Sequence, residues 1–290
     1  MHKIIFKDAD GQKLTLKKEK PYLFLQLNGI GVSSNVTTSS GARHGVKVDS
    51  VNIKEKTLVV LGAIVTNSKR EMQEKRERLI SFLAPDKKIS LYHYNKRFKR
   101  KVNVVIRSLD FQEEVGGCQK FQIQALAPSP FWNEETERRK DIALWSKDLY
   151  FPMWCTEDKS VKPIVFGHRI SELICNVYND GDTPSGMTIQ LRALATVTNP
   201  SVLNIYTKEQ IKVMTTLHKG DVLEISTYSD NKYVRIYNAD GTSKNVLHWL
   251  TLQSEFIQLR KGDNQLRYDA ESGIDNLEMT INYAPGFLGI

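Results

Sequence analysis

The sequence has little cysteine, three in 290 residues. Cys118, Cys155 and Cys175 form no Cys-x-x-Cys pair and have no histidine at ligand spacing. That excludes a disulfide scaffold and a zinc centre, and leaves small buried hydrophobes or loop residues. Long hydrophobic runs are missing too. The longest, at residues 58–65, covers eight residues, against the ~20 that a membrane-spanning helix needs. After Lys3 only Ile4, Ile5 and Phe6 are apolar before Lys7 and Asp8, so a secretory signal is not expected and a reducing cytoplasm is. The histidines (His2, His44, His93, His168, His218, His248) stand in no His-x-His, His-Glu-x-x-His or His-x-Asp context, and no Gly-x-Ser-x-Gly elbow occurs. Gly29 and Gly31 lack the third glycine of a dinucleotide turn and any Gly-Lys-Ser/Thr ending. The acidic stretch Asp180–Asp182 reads as a turn, since the twelve-residue calcium-loop spacing is absent. No catalytic constellation, metal or cofactor is expected.

Forty per cent of the residues are hydrophobic and 26% charged, with 11 Phe, 11 Tyr and 4 Trp. This is a globular composition, and the length favours two domains. The net charge of +8 is unevenly spread: residues 1–140 carry +12 and residues 141–290 carry −4. Such a swing predicts two domains with different surfaces, 1–140 and 141–290. The boundary is marked by Pro128 and Pro130 and the charged stretch that follows.

The first half reads as strands around one helix. Residues 4–16 predict two short strands about a turn at 8–11, and 22–27 a buried strand. Residues 28–45, rich in Gly, Ser and Thr without a period, predict a long loop. Residues 58–65 predict a central strand. A helix follows, with Ser68 and Glu71 placed as a capping box and Met72, Leu79, Ile80 and Leu83 on one face. Glu71–Lys75 and Glu74–Arg78 are i,i+4 pairs in the favourable order, and Pro85 ends the helix. Alternation predicts strands at 89–94, 102–107 and 121–126. Glu113 and Glu114 beside Gly116-Gly117 read as a solvated hairpin tip.

The densest basic run lies between two of these strands: Lys96, Arg97, Lys99, Arg100 and Lys101, with Phe98 inside it and Tyr92 and Tyr94 before it. Basic patches with interleaved aromatics can bind phosphates and stack on bases, but no nucleic-acid motif accompanies this one. The second half reads as many short strands with turn punctuation, which predicts an antiparallel two-sheet sandwich. Tyr237 and Trp249 are its candidate glycan-contact aromatics.

The order of elements resembles one family. Gly62-Ala63-Ile64-Val65-Thr66-Asn67 leads into the helix, and Ala127-Pro128-Ser129-Pro130-Phe131-Trp132 leaves the first domain. The whole chain is similar in this to the distal tail proteins (Dit) of long-tailed phages and prophages of Gram-positive bacteria. The resemblance implies a mainly β protein: an N-terminal tail-tube-like β-sandwich with one flanking α-helix, then a C-terminal galectin-like or carbohydrate-module-like β-sandwich. It also implies a hub at the tail tip of the virion. Six copies would close into a ring, singly or as two stacked rings, joining the tail tube protein to the tail-associated fibre or lysin. DNA would pass through the channel unbound, and receptor-binding proteins would dock outside. Lys96, Arg97, Lys99, Arg100 and Lys101 are then candidates for the ring interface rather than the lumen, where a strongly basic lining would retain phosphates. The alternative reading is a module that binds cell-wall glycans through the sandwich.

Overall fold

The computed structural model describes residues 2–40, 45–142 and 173–290, and the backbone of two short strands between them. They form two units, Met1–Thr136 with Gly286–Ile290, and Glu137–Pro285. The chain leaves the first unit once, builds the second, and returns for its last five residues. A single division at residue 140 makes no provision for that return.

The first unit is a β fold with one helix. Its strands are β1 (Lys3–Asp8), β2 (Lys13–Leu16), β3 (Tyr22–Asn28), β4 (Ser34–Ser39), β5 (Lys47–Ile53) and β6 (Lys56–Val65). Helix α1 (Lys69–Phe82) comes next, followed by β7 (Ile89–Tyr94), β8 (Lys99–Val115), β9 (Cys118–Ala127) and β10 (Trp132–Glu134). The main sheet runs β2-β1-β7-β8-β9-β6-β3. The long β8 joins its two halves: residues 99–104 pair with β7 and residues 105–115 with β9. Alternate side chains point inward, so Ile4 and Phe6 of β1, Leu58 and Val60 of β6, and Ile123 and Ala125 of β9 share one core. Each fully buried Leu, Ile or Phe there contributes about 1.5–3 kcal/mol relative to exposure.

Helix α1 covers this core with Met72, Leu79 and Phe82. Three expectations for it need correction. Ile80 is half exposed, because the buried stripe turns through Phe82 and Leu83 instead. Ser68 occupies the N-cap with extended backbone, but its side chain makes no capping bond. Among the helix charges the ion pair formed is Arg70–Glu74, at 3.3 Å.

The 28–45 segment also differs from a plain loop. It contains β4, which pairs with β5 as a separate two-stranded ribbon outside the main sheet. Residues 41–44, His44 among them, lie outside the described residues.

The second unit begins with β11 (Arg138–Asp141) and the paired strands β12 (Trp145–Lys147) and β13 (Gly167–Arg169). Next are β14 (Ile174–Asn179), β15 (Met187–Ala193), β16 (Val197–Thr198), β17 (Ser201–Asn204), β18 (Gln210–Lys212) and β19 (Thr216–Leu217). It closes with β20 (Val222–Ser226), β21 (Tyr233–Tyr237), β22 (Ser243–Asn245), β23 (Gly262–Asp269) and β24 (Leu277–Tyr283). A six-stranded sheet, β11-β24-β15-β20-β21-β22, shares a core with a four-stranded one, β14-β23-β17-β18. All strand pairs are antiparallel, as the turn-punctuated sequence predicts. Cys175 is buried in this core beside Val177, and burial pushes its thiol pKa up. Cys155 and most of the connector lie outside the described residues, and of His168 only the backbone, within β13, is described. The final strand, β25 (Gly286–Phe287), pairs with β10 and belongs to the first unit.

Candidate assembly surface

Hydrogen bonding shapes the basic run into the tip of the β7–β8 hairpin. The Asn95 amide donates to the Phe98 carbonyl at 3.0 Å, and the Asn95 side chain accepts from the Lys96 amide at 2.7 Å. A cleft of about 390 Å³ opens beside this turn, lined by residues 95–100, 134–136 and Phe287.

The five basic candidates do not act alike. The Arg100 guanidinium lies over the Phe287 ring at 3.7 Å and over Phe98 at 4.8 Å, and donates to the Gly289 carbonyl. Lys56, buried under the same segment, donates to the Leu288 carbonyl at 2.9 Å. Burial lowers the Lys56 ammonium pKa. These two side chains clamp the returning C-terminal residues onto the first unit, so Arg100 is committed internally. Lys101 is half-buried, opposite Tyr92 on one side and Asn133 on the other. Lys96, Arg97 and Lys99 are exposed. No carboxylate pairs with them among the described residues, although Lys99 stands 6.0 Å over the Tyr94 ring. The Tyr94 hydroxyl donates to Glu135 at 2.5 Å. Burial and this carboxylate raise the Tyr94 pKa far above the ordinary phenolic value.

His93 sits beneath the turn, buried, with its ring 5.9 Å from Phe98 and 6.1 Å from His2. Burial first, and then His2, hold its imidazole below the usual value. The fold therefore favours the neutral ring. That contribution is complete above the unfolded value of about 6.5 and is lost as pH falls through the lower folded value. Urea midpoints of the first unit are expected to drop between about pH 7 and pH 5, with a shallower slope in His93→Gln. An unchanged slope in that variant would rule out His93 as the source.

The β4–β5 hairpin is the second protruding feature. Every residue of both strands is exposed. Val36 lies opposite Val51, Thr38 opposite Val48, and Ser34 opposite Ile53. The side-chain period of two, with the register shift near Thr37, therefore puts Val36, Val48, Val51 and Ile53 on one face. Their exposures are 50%, 53%, 58% and 40%. The hairpin is amphipathic, with its apolar face turned to solvent.

In the second unit the structure separates the two candidate aromatics. Tyr237 lies opposite Ser243 and is exposed, while the neighbouring Ile236 faces the core opposite Lys244. Lys244 stands 4.3 Å over the Trp249 ring, which packs against that core. Tyr237 and Trp249 thus belong to opposite faces of the sheet edge and share no site. Tyr237 instead joins Tyr233, both hydroxyls donating to Glu224, at 3.4 and 2.8 Å. Burial and Glu224 push the Tyr233 pKa up to about 12. Among the described residues no group of three or more His, Cys, Asp or Glu side chains could hold a metal ion.

Two family models match the sequence. A phage tail protein RIFT-related domain matches residues 9–126, and a siphovirus-type tail component, C-terminal domain, matches residues 180–287. No curated protein matches in sequence. Among solved structures, the crystal structure of phage SPP1 Dit, described as a paradigm of the hub adsorption apparatus in phages infecting Gram-positive bacteria, has a TM-score of 0.70 at 14% identity. That match covers 98% of this chain and 99% of the other. A chain of the phage P2 baseplate, activated with calcium, gives 0.62 at 12% identity, and its strontium form 0.60 at 11%, each covering 98% of both chains. The fold, a β unit carrying one α-helix among the described residues and then a β-sandwich in chain order, is therefore that of these phage tail structures. The chain belongs to the distal tail (Dit) family of siphophage tail components.

Proposed function

We propose that this protein is the non-enzymatic hub of a siphophage tail tip, acting as a hexameric ring. The ring joins the tail tube protein to the tail-associated fibre or lysin, lets DNA through its channel, and offers the second unit as a dock for receptor-binding proteins. Family membership supports the hub role. The observation that carries self-assembly is the β4–β5 hairpin. A two-stranded ribbon is marginal alone in water, and this one leaves four β-branched apolar side chains half exposed. Burying what remains of each against a second copy contributes on the order of 1 kcal/mol per side chain. A ring requires heterologous contacts, in which a projection of one subunit meets a different surface of the next. The hairpin is such a projection.

Light scattering on a sizing column tests this. The wild-type chain is expected to run as six copies, or twelve, and the Val36→Asp/Val51→Asp variant as a 33.1 kDa monomer with unchanged circular dichroism. A variant that still elutes with the wild type removes the hairpin from the interface. A wild type that is monomeric at every concentration overturns the ring.

A further inference from the structure

We infer that the basic cleft beside the β7–β8 turn receives the acidic tip of the β8–β9 hairpin from a second copy of this chain. This rests on the self-assembly reading above and names the contact that carries its charge. Strand β8 has seventeen residues, so its ends lie roughly 50 Å apart at the usual rise. It starts at Lys99, Arg100 and Lys101, the first two lining the cleft, and ends at Asp110, Glu113 and Glu114 by the tip. One strand is thus positive at one end and negative at the other. Its length keeps the tip from folding back into its own cleft, so the complementary contact is between copies.

Each half of the contact carries charges without an ion-pair partner among the described residues. Lys96, Arg97 and Lys99 are exposed cations with no carboxylate partner among the described residues, and the cleft beside them contains Phe98 and Phe287. Glu113 is exposed and Glu114 partly so, and neither has an ion-pair partner among the described residues. Val115 beside them is 73% exposed, and Gly116 and Gly117 both have positive φ, which makes the turn tight. The cations closest to this end are Lys120, next to the Gln119 that pairs with Glu114, and Arg76 of α1, which donates to Gln119 at 2.9 Å; neither forms an ion pair with Glu113 or Glu114 among the described residues. The tip therefore presents two carboxylates and one apolar knob, and the cleft presents the exposed cations Lys96, Arg97 and Lys99 beside Phe98 and Phe287, with Glu134 and Glu135 also in its lining and Glu135 already accepting from the Tyr94 hydroxyl. A head-to-tail contact of this kind is heterologous, the type that generates rings and stacks.

A charge-swap experiment on the full chain tests the pairing, read as the concentration for half-association by light scattering at low and high salt. Glu113→Lys/Glu114→Lys and Lys96→Glu/Arg97→Glu/Lys99→Glu are each expected to weaken association about tenfold or more. The chain carrying all five changes is expected to recover most of the wild-type strength. All five positions are on the surface, so circular dichroism should not change. If either variant associates like the wild type, or the five-fold swap is no stronger than its parents, the pairing is overturned while self-assembly through the β4–β5 hairpin stands. If the wild type never associates, both readings fall together.

Discussion

Replacing Trp132 with alanine is expected to destabilise the first unit by about 3–5 kcal/mol, the usual cost of removing a large buried aromatic. Trp132 is fully buried, and its strand β10 pairs with β25 on one side and with β8 on the other. The effect should exceed that of an ordinary core position because of what this strand holds. The chain leaves the first unit just after β10 and re-enters at β25, so one small ladder fixes both crossings. Lys56 stands 6.0 Å from the Trp132 ring while it holds Leu288. Loss of the ring therefore loosens the C-terminal clamp as well as leaving a cavity. Calorimetry should show the transition of the first unit falling by roughly 10 °C, with that of the second unit nearly unmoved. Trp132→Phe should lose far less. It keeps most of the volume and removes an indole N–H that has no hydrogen-bond partner among the described residues. An alanine variant that melts within a degree or two of the wild type would show that the ladder is not the staple.

The parts of this fold that were legible in the sequence are those where one face is buried. Strand β1, with Ile4 and Phe6 inward, and strand β15, with Met187, Ile189 and Leu191 inward, alternate cleanly because water lies on one side only. The β4–β5 hairpin was not legible. A register shift sits between Thr37 and Thr38, so the apolar run Val46, Val48 slips phase before Val51 and Ile53, and the Ser/Thr-rich β4 has no core to impose a pattern. The clamp was hidden for a different reason. Arg100 looks like its basic neighbours in sequence, and only the return of Phe287 and Gly289 from nearly two hundred positions away separates it from them. Trp249 is a second case: nothing local in the sequence reports that its ring packs partly against the core of the second unit. Glu113 and Glu114 were visible as a solvated tip. That the same strand, Lys99–Val115, carries the basic turn at its other end is visible only in the structure.

Gly29→Ala is expected to disarm assembly before it unfolds the protein. Gly29 follows β3, where the chain turns out toward the exposed hairpin, and its φ is +80°. A methyl group built there would lie 2.0 Å from the Thr57 carbonyl oxygen and 3.1 Å from its carbon. Thr57 belongs to β6, which is paired on both sides, with β3 and with β9, so that carbonyl cannot step aside. Alanine there meets the left-handed backbone penalty of about 1–2 kcal/mol and a clash of about 1–3 kcal/mol. The cheapest relief is to swing the segment after Asn28, and with it the hairpin that follows. Gly31 provides the control two residues on. Its φ is not in the left-handed region and nothing lies within 4 Å of an added methyl, so Gly31→Ala should change stability by no more than about 0.5 kcal/mol and leave the oligomer intact. At low temperature, where Gly29→Ala remains folded by circular dichroism, it should sediment as a monomer beside an oligomeric Gly31→Ala. Were the two variants to sediment alike, the direction of the hairpin would not depend on Gly29. The close approach to Thr57 would then be a local packing detail rather than the joint that aims the arm.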